Sequence, residues 1–240
     1  MLRLGGTETA GVGEATCTGD DAQAVASRSS ATVPPIRDAE RGYVRGVPTT
    51  RLEAFSDAVI AILITIMVLE LKVPEGHDLH DLEELLPVFL AYVLSFVYLG
   101  IYWNNHHHLL QTTERVTGGM LWANLHLLFW LSLFPAATHW IGETEAASTP
   151  TAVYGAVMLG AAVAYYVLER VIVAAQGEDG VLARAVGKDV KGKASVVLYA
   201  AAVGLALVAP WASIGVFVLV ALVWLVPDRR LERVLQAAEP

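Results

Sequence analysis

The fold class this sequence predicts is an all-α membrane protein with six transmembrane helices, and three observations predict it. Of 240 residues, 55% are hydrophobic and 17% charged, where soluble domains run near 25% charged. Mean hydropathy is +0.52. Six apolar stretches can cross a hydrocarbon core of about 30 Å, and nearly all flanking Lys and Arg fall on one side of them. The same figures exclude other classes. A net charge of −8 argues against a nucleic-acid partner. The one cysteine, Cys17, leaves no intrachain disulfide and no Cys-based zinc finger.

Taken in order, residues 1–44 read as a disordered cytoplasmic tail. Their first 35 positions are Gly, Ala, Thr and Ser with scattered acids and Pro34-Pro35, with no apolar core for a secretory signal. Residues 45–233 read as the six-helix transmembrane domain, and 234–240 as a short C-terminal tail. The spans are approximately Glu53–Val73, Leu85–His106, Met120–Ile141, Thr151–Val173, Ala194–Ala209 and Ala212–Val226. The last two come from one uncharged run between Lys193 and Asp228, which Pro210-Trp211 splits into a hairpin of two short helices.

Charge sets the orientation. Arg37, Arg41, Arg45 and Arg51 precede span one, and Arg115 lies between spans two and three. Arg170, Arg184, Lys188, Lys191 and Lys193 lie between the end of span four and span five, and Arg229, Arg230 and Arg233 follow span six. With six spans all of these face the cytoplasm, only Lys72 lies outside, and both termini are cytoplasmic in a cell (plasma) membrane. The outer loops are acidic, with Glu70, Glu75, Asp78, Asp81, Glu83 and Glu84 at the first and Glu143 and Glu145 at the second, a field that concentrates cations. There is no internal repeat, phosphate-binding Gly-rich loop, Gly-x-Ser-x-Gly elbow or Thr-Val-Gly-Tyr-Gly filter.

Ionisable groups inside a span are costly and therefore mark function. Arg51-Leu52-Glu53-Ala54-Phe55-Ser56-Asp57 runs from the interface into span one. The helix dipole accounts for Glu53; Asp57 lies deeper and calls for a donor from span two or three. At the end of span two stand Tyr102-Trp103-Asn104-Asn105-His106-His107-His108. Adjacent helical positions diverge by about 100° and cannot chelate one ion together, so a polar network, joined by Asn124 and His126, is expected rather than a metal. His139 and Trp140 read as outer-interface anchors. Ala58, Ile62, Thr65 and Leu69 form one stripe at i, i+4, i+7 and i+11, with Asp57 about 140° from Ile62.

The pattern Arg-x-x-x-Phe-Ser-Asp, here Arg51, Phe55, Ser56 and Asp57, resembles the signature of the transmembrane protein 175 potassium channels, in their prokaryotic single-repeat branch. Tyr102-Trp103-x-x-His106-His107 is similar to a second, looser family feature. The resemblance implies a homotetramer whose central pore is lined by span one of each subunit, without a carbonyl filter. It implies an aliphatic constriction at Ile62, with Thr65 and Leu69 further out, through which K+ is the permeant ion. It further implies that Arg51, Phe55, Ser56 and Asp57 pack within the subunit against Trp103, His106, His107 and Asn124. No catalytic residue, cofactor or metal is expected; the partners are the lipid bilayer, potassium ions and other copies of the chain. The rival readings are a proton-coupled transporter working through Asp57 and the span-two histidines, and a membrane-embedded enzyme with a His/Asp metal site, which the adjacent histidine spacing disfavours.

Overall fold

The computed structural model describes residues 48–74, 76–113, 115–177, 182–183 and 189–225. The tails expected over 1–44 and 234–240 lie outside the described residues. Every regular element described is a helix. They are α1 (Thr49–Leu69), α2 (Leu79–Glu83), α3 (Leu86–Gln111), α4 (Gly118–Ser132), α5 (Phe134–Glu143), α6 (Ser148–Gln176), α7 (Val190–Ala206) and α8 (Pro210–Leu225).

Four of the expected spans are long and apolar enough to cross a membrane: α1, α3, the α4–α5 pair and α6. Span three is not one straight rod. α4 ends at Ser132 and α5 starts at Phe134 with Pro135 in its first turn, where proline lacks the N–H that would continue the ladder. The uncharged run divides as expected, α7 ending at Ala206 and α8 starting at Pro210. The two helices run antiparallel: Ser213 Oγ donates to the Ala202 carbonyl at 2.8 Å and Trp224 Nε1 to Ser195 Oγ at 2.8 Å. At 17 and 16 residues they are shorter than the four spans above, which run from 21 to 29 residues.

The ends of the helices sort into two faces. Thr49 Oγ1 at the start of α1 donates to the Thr113 carbonyl just past α3, and Gln176 Nε2 at the end of α6 donates to the Thr112 carbonyl. Arg51, Arg115 and the C-terminus of α6 therefore share one face. At the far end, Lys72 Nζ meets Glu143 Oε2 at 2.9 Å and His139 Nδ1 lies 3.6 Å from Glu70 Oε2.

In between, an aromatic core joins the helices. Tyr98, Tyr154, Phe134 and Phe217 are fully buried. Tyr98 donates to the Phe217 carbonyl, and Ser95 Oγ lies 2.9 Å from Tyr154 Oη and accepts from Thr138 Oγ1 at 2.7 Å. Without water, each buried hydroxyl needs such a partner. Close approach also matters: a methyl at Gly142 would stand 2.8 Å from Val88 Cα, a backbone atom that cannot swing aside. At Gly204 it would meet nothing within 4 Å. Gly142→Ala is expected to destabilise the detergent-solubilised protein by about 1–3 kcal/mol, the range for overpacking. Gly204→Ala should leave the thermal midpoint within error of wild type. Equal midpoints for both variants would mean that α3 and α5 do not touch at Gly142.

Candidate functional site

The site begins with the rotation of α1. Leu52, Ser56, Ile60, Leu63 and Met67 are its buried residues, recurring at i, i+4, i+8, i+11 and i+15 along one face. Counting about 100° per residue from Ser56 puts Thr65 about 180° away, with Ala58 and Leu69 close beside it and Ile62 about 120° away. The structure leaves that stripe uncovered: Ile62 is 55% and Leu69 80% exposed, and Ala58 and Thr65 are exposed too. Thr65 Oγ1 donates to the Ile62 carbonyl of its own helix. The stripe thus presents aliphatic groups along most of an apolar helix, uncovered by the described residues.

A buried chain of hydrogen bonds holds the opposite face. Ser56 Oγ donates to the Leu52 carbonyl at 2.8 Å and accepts from Asn124 Nδ2 at 2.9 Å. Asn124 Oδ1 is 2.7 Å from His106 Nε2. Since the serine hydrogen is committed to Leu52, the amide must give Ser56 its NH2; its oxygen then accepts from His106 Nε2–H. All three side chains are fully buried. They link α1, α4 and α3 at one depth.

The three histidines diverge as their adjacency requires. His106 points with the buried stripe of α3, which includes Ser95, Tyr98, Leu99, Tyr102 and Leu109. His107 Nδ1 lies 2.6 Å from Glu53 Oε1 on α1, out of line for a hydrogen bond. Its ring is stacked on Trp103 at 6.2 Å between centroids. His108 touches the His107 ring and stands apart from Asn124.

Asp57 differs from the sequence reading. The donors expected for it go to Ser56 instead, and its buried Oδ1 has no hydrogen-bond partner among the described residues. Its neighbours are Glu53 and His107. Arg51 and Phe55 are exposed. His126 takes the Trp130 indole N–H at 3.0 Å rather than joining Asn124. Glu53 is the residue whose position the sequence undersold: its i, i+4 spacing to Asp57 was the available signal.

A family model described as endosomal/lysosomal potassium channel TMEM175 matches residues 51–135, the stretch that carries these groups. A potassium channel of Chryseobacterium sp. (strain P1-3) is 53% identical over 186 residues, covering 78% of this chain and 97% of that protein. The endosomal/lysosomal proton channel TMEM175 of Bos taurus is 35% identical over 99 residues, 36% of this chain and 21% of that one. The crystal structure of a lysosomal potassium-selective channel TMEM175 homolog from Chamaesiphon minutus matches with a TM-score of 0.66 at 29% identity, over 75% of this chain and 97% of that one.

Removing the central amide tests the hydrogen-bond chain. Asn124→Leu leaves Ser56 without its donor and His106 without its acceptor, at about 1–3 kcal/mol for each unsatisfied buried group. It should lower the thermal midpoint and the yield of monodisperse protein. Ser132→Ala, an exposed hydroxyl bonded within its own helix, should not. An Asn124→Leu protein as stable as wild type would remove the chain from the account.

Proposed function

We propose a potassium-conducting channel on one premise: the chain belongs to the TMEM175 family, which makes it a membrane channel protein and not an enzyme. The observation that carries the proposal furthest is the uncovered aliphatic stripe of Ala58, Ile62, Thr65 and Leu69 on α1, opposite the face bolted to α3 and α4. One copy of the chain closes no pore. Four copies, each contributing α1 to a common axis, would turn that stripe inward and bring four Ile62 side chains into a ring.

The ring would act by dehydration. An aliphatic constriction supplies no ligand, so an ion passes only by shedding water, and the passage gates by wetting and drying. Potassium holds its water less tightly than sodium and meets the lower barrier. Selectivity of this origin is modest, because nothing replaces the lost shell. Acidic residues of the outer loops raise the local cation concentration without choosing among cations.

In this reading all six expected spans cross the bilayer in each subunit. The face carrying Arg51, Arg115 and the end of α6 is cytoplasmic, and the Lys72–Glu143 face is external, as the distribution of Lys and Arg favours. Both termini are then cytoplasmic in the plasma membrane. The hydrogen-bond chain of Ser56, Asn124 and His106 holds α1 at the rotation the pore requires, with Trp103 and His107 beside it. A proton-coupled transporter draws less from the same residues, since His106 Nε2 is committed to Asn124 rather than lying along an aqueous path.

Planar-bilayer currents in potassium and sodium gradients test the constriction. Ile62→Asn should increase current and move the reversal potential toward zero, since amide oxygens wet the ring and help sodium most. Ile64→Asn, about 160° away around the helix, should impair packing without admitting sodium selectively. An assembled Ile62→Asn channel with unchanged conductance and selectivity would take Ile62 out of the narrow point. Orientation is tested separately, in a Cys17→Ser background. An impermeant thiol reagent on intact cells should label Glu145→Cys and spare Arg115→Cys; the reverse labelling would invert the topology.

A further inference from the structure

Glu53 and Asp57 stand four residues apart on α1, the spacing that stacks two side chains on one helix face. His107 reaches the same spot from α3. One ligand atom from each of the three lies within 4.8 Å of the others, and all three side chains are half-buried. The contacts inside this cluster are unfinished. Neither His107 Nδ1 nor the buried Asp57 Oδ1 completes a hydrogen bond among the described residues.

We propose that Glu53, Asp57 and His107 bind a divalent transition-metal ion of the zinc class. The donor set, one imidazole nitrogen and two carboxylate oxygens, suits zinc, whereas magnesium takes oxygen ligands only. Three protein ligands leave the fourth position of a tetrahedron to water. Bonds of about 2.0–2.2 Å in a tetrahedron put neighbouring ligand atoms about 3.3–3.6 Å apart. The 2.6 Å approach of Glu53 Oε1 to His107 Nδ1 therefore opens slightly on binding, a matter of side-chain torsions.

A second layer is present. Gln111 Nε2 lies 2.8 Å from His107 Nε2. When Nδ1 binds metal the ring proton sits on Nε2, and the Gln111 amide turned over accepts it through Oε1, the usual device for orienting a ligand histidine. Trp103, stacked within 20° of parallel, holds the ring plane. Adjacent histidines could not build such a site among themselves; one histidine with two carboxylates from the neighbouring helix can. The ion would clip α1 to α3 beside the hydrogen bonds of Ser56, within one chain and independent of any pore.

The test uses the full chain purified in detergent, stripped with EDTA, desalted, and titrated with ZnCl2 and in parallel with CoCl2. Wild type should bind one equivalent of zinc per chain saturably, and cobalt should give visible absorption bands of a low-coordinate site. Glu53→Gln and His107→Gln, each checked for wild-type elution on size exclusion, should weaken zinc binding by at least about tenfold and lose the cobalt bands. His126→Gln and His139→Gln should change neither. Failure of wild type to bind one saturable equivalent would overturn the proposal, as would wild-type affinity in the Glu53→Gln and His107→Gln proteins.

Discussion

The amide of Asn124 is the group on which the arrangement of the first three spans depends. A membrane interior offers no water to a stray donor, so a buried amide between a serine on one helix and a histidine on another must find both partners at once. It can do so at one rotation of α1 and one vertical offset between α1, α3 and α4. Hydrophobic contact alone would not choose that rotation, because lipid chains are as apolar as leucine. The aliphatic packing of Leu52, Ile60, Leu63 and Met67 then follows on the same face. What lies on the other side of the helix, including Ile62 and Leu69, is uncovered as a consequence.

Small residues and aromatic rings complete the remainder of the bundle by a different logic. Gly142 lets α5 lie almost on the backbone of α3, and Gly160 leaves room for the Trp130 ring, which a methyl there would strike. Tyr98, Tyr154 and Phe217 fill the space between α3, α6 and α8 with tilted ring contacts. Such packing gives a membrane protein the dispersion energy that water-driven burial gives a soluble one.

Much of this was legible in the sequence. Long uncharged runs gave the helices, and Pro210 gave the turn of the last hairpin, because both signals are local. The resemblance brings Ser56 and Asp57 alike toward Asn124, and the sequence calls for a donor only at the carboxylate, the more demanding group. Only the depth and rotation of three helices reveal that the hydroxyl, not the carboxylate, faces Asn124. The cluster of Glu53, Asp57 and His107 was hidden for the same reason. Three consecutive histidines draw the eye to one segment, while the carboxylates that His107 meets are 50 or more residues away in the chain. The break at Leu133 was a local feature passed over, although Pro135 signals it in the sequence.

That break divides the third span into two levers about a single joint. The inner lever carries Asn124 and is fixed to α1; the outer one ends at Glu143, whose tie to Lys72 is an exposed ion pair. An exposed pair of this kind is weak and easily remade. Bilayers differ in thickness by several ångströms, and a spanning helix adjusts by tilting. Here α5 does not tilt alone: Gly142 lies against the Val88 backbone and Thr138 Oγ1 donates to Ser95 on α3, so an adjustment made at the Glu143 end is shared with α3 rather than absorbed at the break.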